Sequence, residues 1–270
     1  MRKNLTDEQL FQRILSNKSW KAIWLNIHEM RSRPTINVFN KFIELSHSNN
    51  SKEREIAVLV LSQLGIPPRP FIKQTLNRFF ELLKTETDVS VIGAILFGIG
   101  HNNECISKNE VEILCTFKDR KEFHIRDGLT FVLGGVNDSL AIKTLIYLTN
   151  DKSKTIRDWA TFGIGTLTDR NNMNIKNALW KRVYDKDPII RQEAIFGLAK
   201  RKDPQIKGIL IKEVDSLDNY SSLILEAIEE FEDYDFLDLL NQKLNEPDIE
   251  TQINPEWIKD CIENLTKRIK

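Results

Sequence analysis

The sequence predicts an all-α fold: an α-solenoid, or superhelix, of about eight antiparallel helix pairs. Three observations carry that expectation. A nine-residue pattern recurs at intervals of 31 to 38 residues, a second amphipathic pattern lies between successive copies, and the 270 residues hold no run with strand alternation. A period of that length marks stacked two-helix units, each exposing apolar surface until a neighbour covers it.

The elements follow in chain order. Thr6 with Gln9 makes a capping box that opens the first helix. Two divergent pairs are expected over 6–32 and 35–64. The recurrent pattern then reads REIAVLVLS from Arg54, IGAILFGIG from Ile92, RDGLTFVLG from Arg126, RDWATFGIG from Arg157 and RQEAIFGLA from Arg191, with a degenerate SLILEAIEE from Ser222. Between the copies lie PFIKQTLNRFFELLK (70–84), NEVEILCTF (109–117), SLAIKTLIYL (139–148), IKNALWKRVY (175–184) and PQIKGILIKEV (204–214), all apolar at helical spacing. Breakers at Gly65 to Pro70, His101 to Asn103, Asp169 to Asn172 and Asp203–Pro204 separate them. A last pair is expected over 235–269. The organisation predicted is one solenoid over 1–270: divergent pairs at 6–64, the best-matched repeats at 70–200, and acidic pairs with an amphipathic cap at 203–270.

Aligned on those anchors, the copies share columns. Five residues on stand Leu59, Phe97, Phe131, Phe162 and Phe196; six on, Val60, Gly98, Val132, Gly163 and Gly197; eight on, Ser62, Gly100, Gly134, Gly165 and Ala199. A glycine inside a helix costs about 1 kcal/mol relative to alanine. Two nearly small columns beside one of rings therefore point to close helix–helix packing, with Gly163 and Gly197 as structural positions. The rings are expected in the core.

DKSKTIRDWATFGIGTL (151–167) and DKDPIIRQEAIFGLAKRKDP (185–204) resemble HEAT repeats of the short bacterial type named after phycobilisome lyase subunits. The resemblance is strong over about 85–215 and only periodic towards both ends. In that family an Asp and an Arg six residues later form a ladder between repeats. The resemblance implies that role for Asp151 with Arg157 and for Asp185 with Arg191. Ile92 stands where the Arg would be in one copy, and no Asp lies six before Arg54 or Arg126.

Composition narrows the function. The chain is 41% hydrophobic and 29% charged with a formal net charge of zero, which suits a globular protein with a large core. Its three cysteines form no CxxC, the start lacks a signal-peptide core, and no window approaches a membrane span, so a cytoplasmic protein is expected. Residues 213–250 nevertheless hold thirteen Asp/Glu and a single Lys, while 1–34 hold seven Lys/Arg against three Asp/Glu. No cofactor or metal is expected. GxSxG, Walker and GxGxxG motifs are missing. Deoxyhypusine hydroxylase, a related repeat enzyme with several His-Glu dipeptides, is matched only by His28–Glu29.

The main expectation is a non-enzymatic protein-binding scaffold, or adaptor, that uses the concave face lined by the second helix of each pair. In a narrower form it neutralises or chaperones one cognate protein. Positions one and two past each anchor are expected to be exposed there: Glu55 and Ile56, Gly93 and Ala94, Asp127 and Gly128, Asp158 and Trp159, Gln192 and Glu193. Of these, the candidate partner-binding residues are Asp127, Asp158, Trp159, Gln192 and Glu193, with Glu226, Glu229 and Glu230 in the acidic C-terminal pairs. The partner expected is a protein or peptide, basic if the acidic pairs take part. The alternative is a HEAT-like enzyme or enzyme subunit: bilin-lyase-like, or a nucleic-acid binder like the alkylpurine DNA glycosylases. Asp158, Trp159, Trp180 and the run Lys200–Lys202 would serve a glycosylase. The acidic end repels a phosphate backbone.

Overall fold

Helices form where the apolar spacing places them. The computed structural model describes residues 2–269 and builds seventeen α-helices, with no strand among those residues. Two compact units divide the chain, 1–141 and 142–270. The first holds α1 (Asp7–Ser16), α2 (Trp20–Arg31), α3 (Ile36–Leu45), α4 (Ser51–Leu61), α5 (Ile72–Leu83), α6 (Val89–Gly100), α7 (Lys108–Cys115) and α8 (Phe123–Leu133). Helix α9 (Ser139–Leu148) carries the chain across the boundary. The second unit holds α10 (Lys154–Gly165), α11 (Met173–Arg182), α12 (Pro188–Lys200), α13 (Lys207–Asp215), α14 (Ser222–Phe231), α15 (Asp235–Leu244), the short α16 (Ile249–Gln252) and α17 (Pro255–Ile269).

Local chemistry sets the helix starts. The capping box of Thr6 and Gln9 is formed, and Ser107 with Glu110 makes another. Asn50, Asp88, Asn172 and Asp187 accept from first-turn amides of α4, α6, α11 and α12. All six copies of the recurrent pattern fall on second helices of pairs. Those helices pack side by side: α2, α4, α6 and α8 in the first unit, and α10, α12, α14 and α17 in the second.

The small columns explain that row. The residue eight past one anchor meets the residue six past the next. A Cβ on Gly197 would stand 2.7 Å from the Gly165 Cα and 3.0 Å from Leu179 Cδ1. One on Gly98 would stand 3.0 Å from Ser62 Cβ, and one on Gly100 would stand 3.2 Å from the Val132 Cα. Bare backbone is thus required where neighbouring second helices touch, and close packing offsets the lost helix propensity. Gly163 is likewise buried in α10.

Two of these contacts, α4 with α6 and α10 with α12, are tied at both ends of the helices. At the N-terminal end, the anchor guanidinium donates to the main-chain oxygen six residues back: Arg54 to Ser48 (2.9 Å), Arg126 to Arg120 (2.7 Å), Arg157 to Asp151 (3.1 Å) and Arg191 to Asp185 (3.1 Å). Because a carbonyl accepts, no acid is needed at that position. The carboxylate serves the preceding repeat instead. Arg157 forks onto both Asp185 oxygens (2.9 and 3.1 Å), and Arg54 forks onto Glu86 (2.7 and 2.8 Å). The second rung was not expected, since Glu86 precedes the copy that lacks an arginine.

At the C-terminal end, side chains ten past an anchor satisfy orphan helix carbonyls. Asn102 donates to Ser62 O (3.0 Å) and Gly98 O (2.9 Å). Arg201 donates to Gly165 O and Gly197 O (2.8 and 2.7 Å) and to Ile164 O and Thr168 O (2.7 and 2.8 Å). Burial pulls the Arg201 pKa down to about 10.

Two expectations need correction. Phe196 is buried as expected, but Phe97, Phe131 and Phe162 are half-buried, not core. The rings stand at the rim of the helix contacts, with Phe97 and Phe131 5.4 Å apart. Ile56, Gly93 and Gly128, one or two past their anchors, are buried where exposure was expected. For Gly128 the reason is again a close approach: its Cβ would lie 2.8 Å from Leu96 Cβ.

Gly197→Val is expected to destabilise the fold by about 1–3 kcal/mol through overpacking. Gly208→Ala, which has nothing within 4 Å of the new methyl, is expected to leave thermal unfolding unchanged or raise its midpoint. Asp185→Asn leaves Arg157, whose side chain is 9% exposed, without its counter-charge and should cost about 2–4 kcal/mol. Unaltered melting in Gly197→Val or Asp185→Asn would contradict the tied-row description.

Candidate functional site

Tight spacing of the second helices forces their outer stripes into ridges with depressions between them. In the second unit, Asp158 and Phe162 are one turn apart on α10, with Trp159 beside them; Ile189 and Glu193 are one turn apart on α12. These five residues line an open depression of about 220 Å³. Trp159 is 42% exposed and Ile189 52%. The Trp159 and Phe162 rings meet edge to face at 6.0 Å.

The depression is acidic at its edge. Burial raises the Asp158 pKa, and Asp187 adds to the rise. Burial also pushes Glu193 up to about 7, against a hydrogen bond from Thr166 Oγ1 (3.1 Å), with Asp158 and Glu226 adding repulsion. Among the described residues, neither the Asp158 nor the Glu226 carboxylate takes part in a hydrogen bond or ion pair. Nearby cations are engaged: Lys154 with Asp187 (2.6 Å), Lys200 with Asp169 (2.8 Å) and Arg157 with Asp185.

Of the residues singled out from the sequence, Asp158, Trp159 and Glu193 meet in this depression. Gln192 is half-buried on α12, and Asp127 is half-buried on α8 of the first unit, its pKa raised by burial. Glu226 is exposed on α14. Glu229 accepts from Asn264 (3.2 Å), and Glu230 pairs with Arg268 (2.7 Å). Much of the acidic stretch is likewise spent within the unit, through Glu232 with Lys202 (2.8 Å) and Asp233 and Asp235 with Lys207 (2.7 and 2.6 Å). The run Lys200–Lys202 is thereby also committed to internal contacts.

A second depression, of about 420 Å³, lies in the first unit and was missed. Trp20 and Trp24 line it with Leu59, Phe97, Glu55 and His101. Arg31 lies over the Trp24 ring at 5.3 Å. Burial and the charges of Arg69 and Arg31 lower the His101 pKa. The signal was present: Trp20 and Trp24 sit one turn apart on α2, 39% and 41% exposed, but this helix precedes the well-matched repeats. Glu29 of the one His-Glu dipeptide pairs with Arg33 (2.8 Å). Among the described residues no cluster of three His, Cys, Asp or Glu side chains could hold a metal, and no helix is long and apolar enough to cross a membrane.

No protein-family model matches the chain. Protein YibA of Escherichia coli K12 is 26% identical over 249 residues, 90% of this chain and 86% of YibA. The X-ray structure of YibA aligns with a TM-score of 0.79 at 23% identity, covering 98% of this chain and 94% of that one. A designed armadillo repeat protein in complex with the peptide (KR)4 aligns at 0.51 and 14% identity, over 70% of this chain and 97% of that one. The complex of CpcE and CpcF of phycocyanin lyase from Nostoc sp. PCC7120 aligns at 0.50 and 13%, over 97% and 95%. The fold is therefore an all-α helical-repeat solenoid of HEAT/armadillo type.

Glu193 offers a pH test. Its folded pKa lies above the usual 4.5, so its contribution to stability is fully present below that value and is lost as pH rises through about 7. Glu193→Gln should melt together with the parent near pH 4 and about 2–4 °C higher near pH 8. Equal differences at both pH values would contradict the burial of this carboxylate.

Proposed function

We propose that this chain is a non-enzymatic scaffold in the cytoplasm that holds a partner protein or peptide on the face formed by its second helices. The narrower form is a protein that neutralises or chaperones one cognate partner. The observation that supports the reading best is the depression where Trp159 stands exposed between Asp158 and Glu193. Exposed aromatic anchors carry a large share of interface energy, and a rigid row of helices presents them with little ordering on binding. Two proteins of similar fold point the same way: the designed armadillo protein holds a peptide, and CpcE is found in complex with CpcF. Cys115 and Cys261, both buried, suit a reducing compartment.

The test is affinity capture from native lysate at ~50 and ~300 mM salt, where screening reports on surface charge. The parent protein is compared with the triple variant Trp159→Ala, Asp158→Ala, Glu193→Ala. The expected outcome is one stoichiometric protein held by the parent and lost by the variant, with the helical spectrum kept. Equal capture by both would move the interface elsewhere. Nucleic acid or a coloured chromophore in place of a protein would favour the enzyme-like alternative.

A further inference from the structure

We infer that the Trp159 depression is an arginine subsite, taking one arginine side chain from an extended basic segment of the partner protein. The inference rests on the scaffold reading and names the chemistry of what that face holds.

Size is the first argument. At about 220 Å³ the depression lies below the ~300–1,000 Å³ of ordinary small-molecule pockets and suits one long side chain. Its walls are the second. Phe162 and Ile189 offer apolar surface to an aliphatic stem, and the exposed Trp159 indole offers a face to a cation. The rim is the third. Asp158 and Glu193 stand at the edge with one hydrogen bond between them, from Thr166, and Glu226 on α14 extends the negative strip towards the next residue of a bound segment. Lys154, Lys200 and Arg157, the cations around this rim, each hold another carboxylate. A cation from outside relieves the repulsion between Asp158 and Glu193.

Guanidinium fits these three features better than ammonium. It is planar, stacks on an indole and reaches two carboxylates through its fork of donors, whereas a lysine brings one strongly hydrated point charge. The first unit shows the pairing within the chain itself, Arg31 over Trp24.

Fluorescence anisotropy of labelled octa-arginine and octa-lysine against the full chain tests the subsite. At ~50 mM salt and about pH 8 the arginine peptide should bind about tenfold more tightly than the lysine peptide. Asp158→Asn and Glu193→Gln should each weaken octa-arginine about tenfold, and Trp159→Leu should abolish the preference for arginine. Glu81→Gln, on α5 of the first unit and paired with Arg78, should change nothing. Octa-arginine should also bind several-fold more weakly at about pH 6, as Glu193 takes up a proton, and Glu193→Gln should flatten that dependence. Equal affinities for the two peptides, or unchanged binding in Asp158→Asn and Glu193→Gln, would overturn the subsite. A partner captured from lysate and lost by the triple variant, with octa-arginine unbound, would sink the arginine inference and leave the scaffold. Octa-arginine bound as described, with no protein partner captured, would do the reverse.

Discussion

The contact between bare backbones, where the residue eight past one anchor meets the residue six past the next, sets the spacing of the second helices. Gly165 against Gly197 is its clearest instance: no side chain fits between those two Cα atoms. Without that approach, the anchor arginines would lie too far from the next repeat's carboxylates to form the Arg157–Asp185 and Arg54–Glu86 rungs. Arg201 and Asn102 could not then bridge carbonyls of two helices at once. Packing, rungs and carbonyl bridges are one arrangement seen at the middle and both ends of the same helix pair.

That arrangement also produces the surface. Helices this close leave no room for large side chains in the seam, so rings and long side chains are displaced to its rim. Phe97, Phe131 and Phe162 come to be half-buried in this way, and Trp159, two residues past the Arg157 rung, is 42% exposed beside Asp158. Burial of Glu193 follows from the same closeness, because Thr166 at the end of α10 reaches its carboxylate. The depression is a by-product of packing that has acquired charge. The long acidic stretch of 213–250 has less to offer a partner than its composition promised, since lysines 202 and 207 and Arg268 already neutralise part of it.

The helix pairs were legible because apolar spacing and breakers are local. The glycine columns were legible as a packing rule but not as a geometry: their role depends on which column of the next repeat they meet. Glu86 was illegible as a rung because the expected motif is an Asp with an Arg six residues later, and Glu86 is a glutamate with Ile92 at that distance. Trp159, Asp158 and Glu193 were found by counting from the anchor. The same count failed at Ile56 and Gly128, which differ in how deeply each helix sits. Trp20 and Trp24 escaped notice because divergent repeats give no frame in which to place them. Charge was the least readable feature, since sequence composition cannot show which acids are already paired.

Hydrogen–deuterium exchange on the complex with its captured partner tests the central claim most directly, that the tied second-helix row of the second unit is the binding face. The expected result is added protection at 158–162 and 189–193, with α11 and α13 unchanged. Protection confined to α11 and α13, or to residues 6–64, would contradict it.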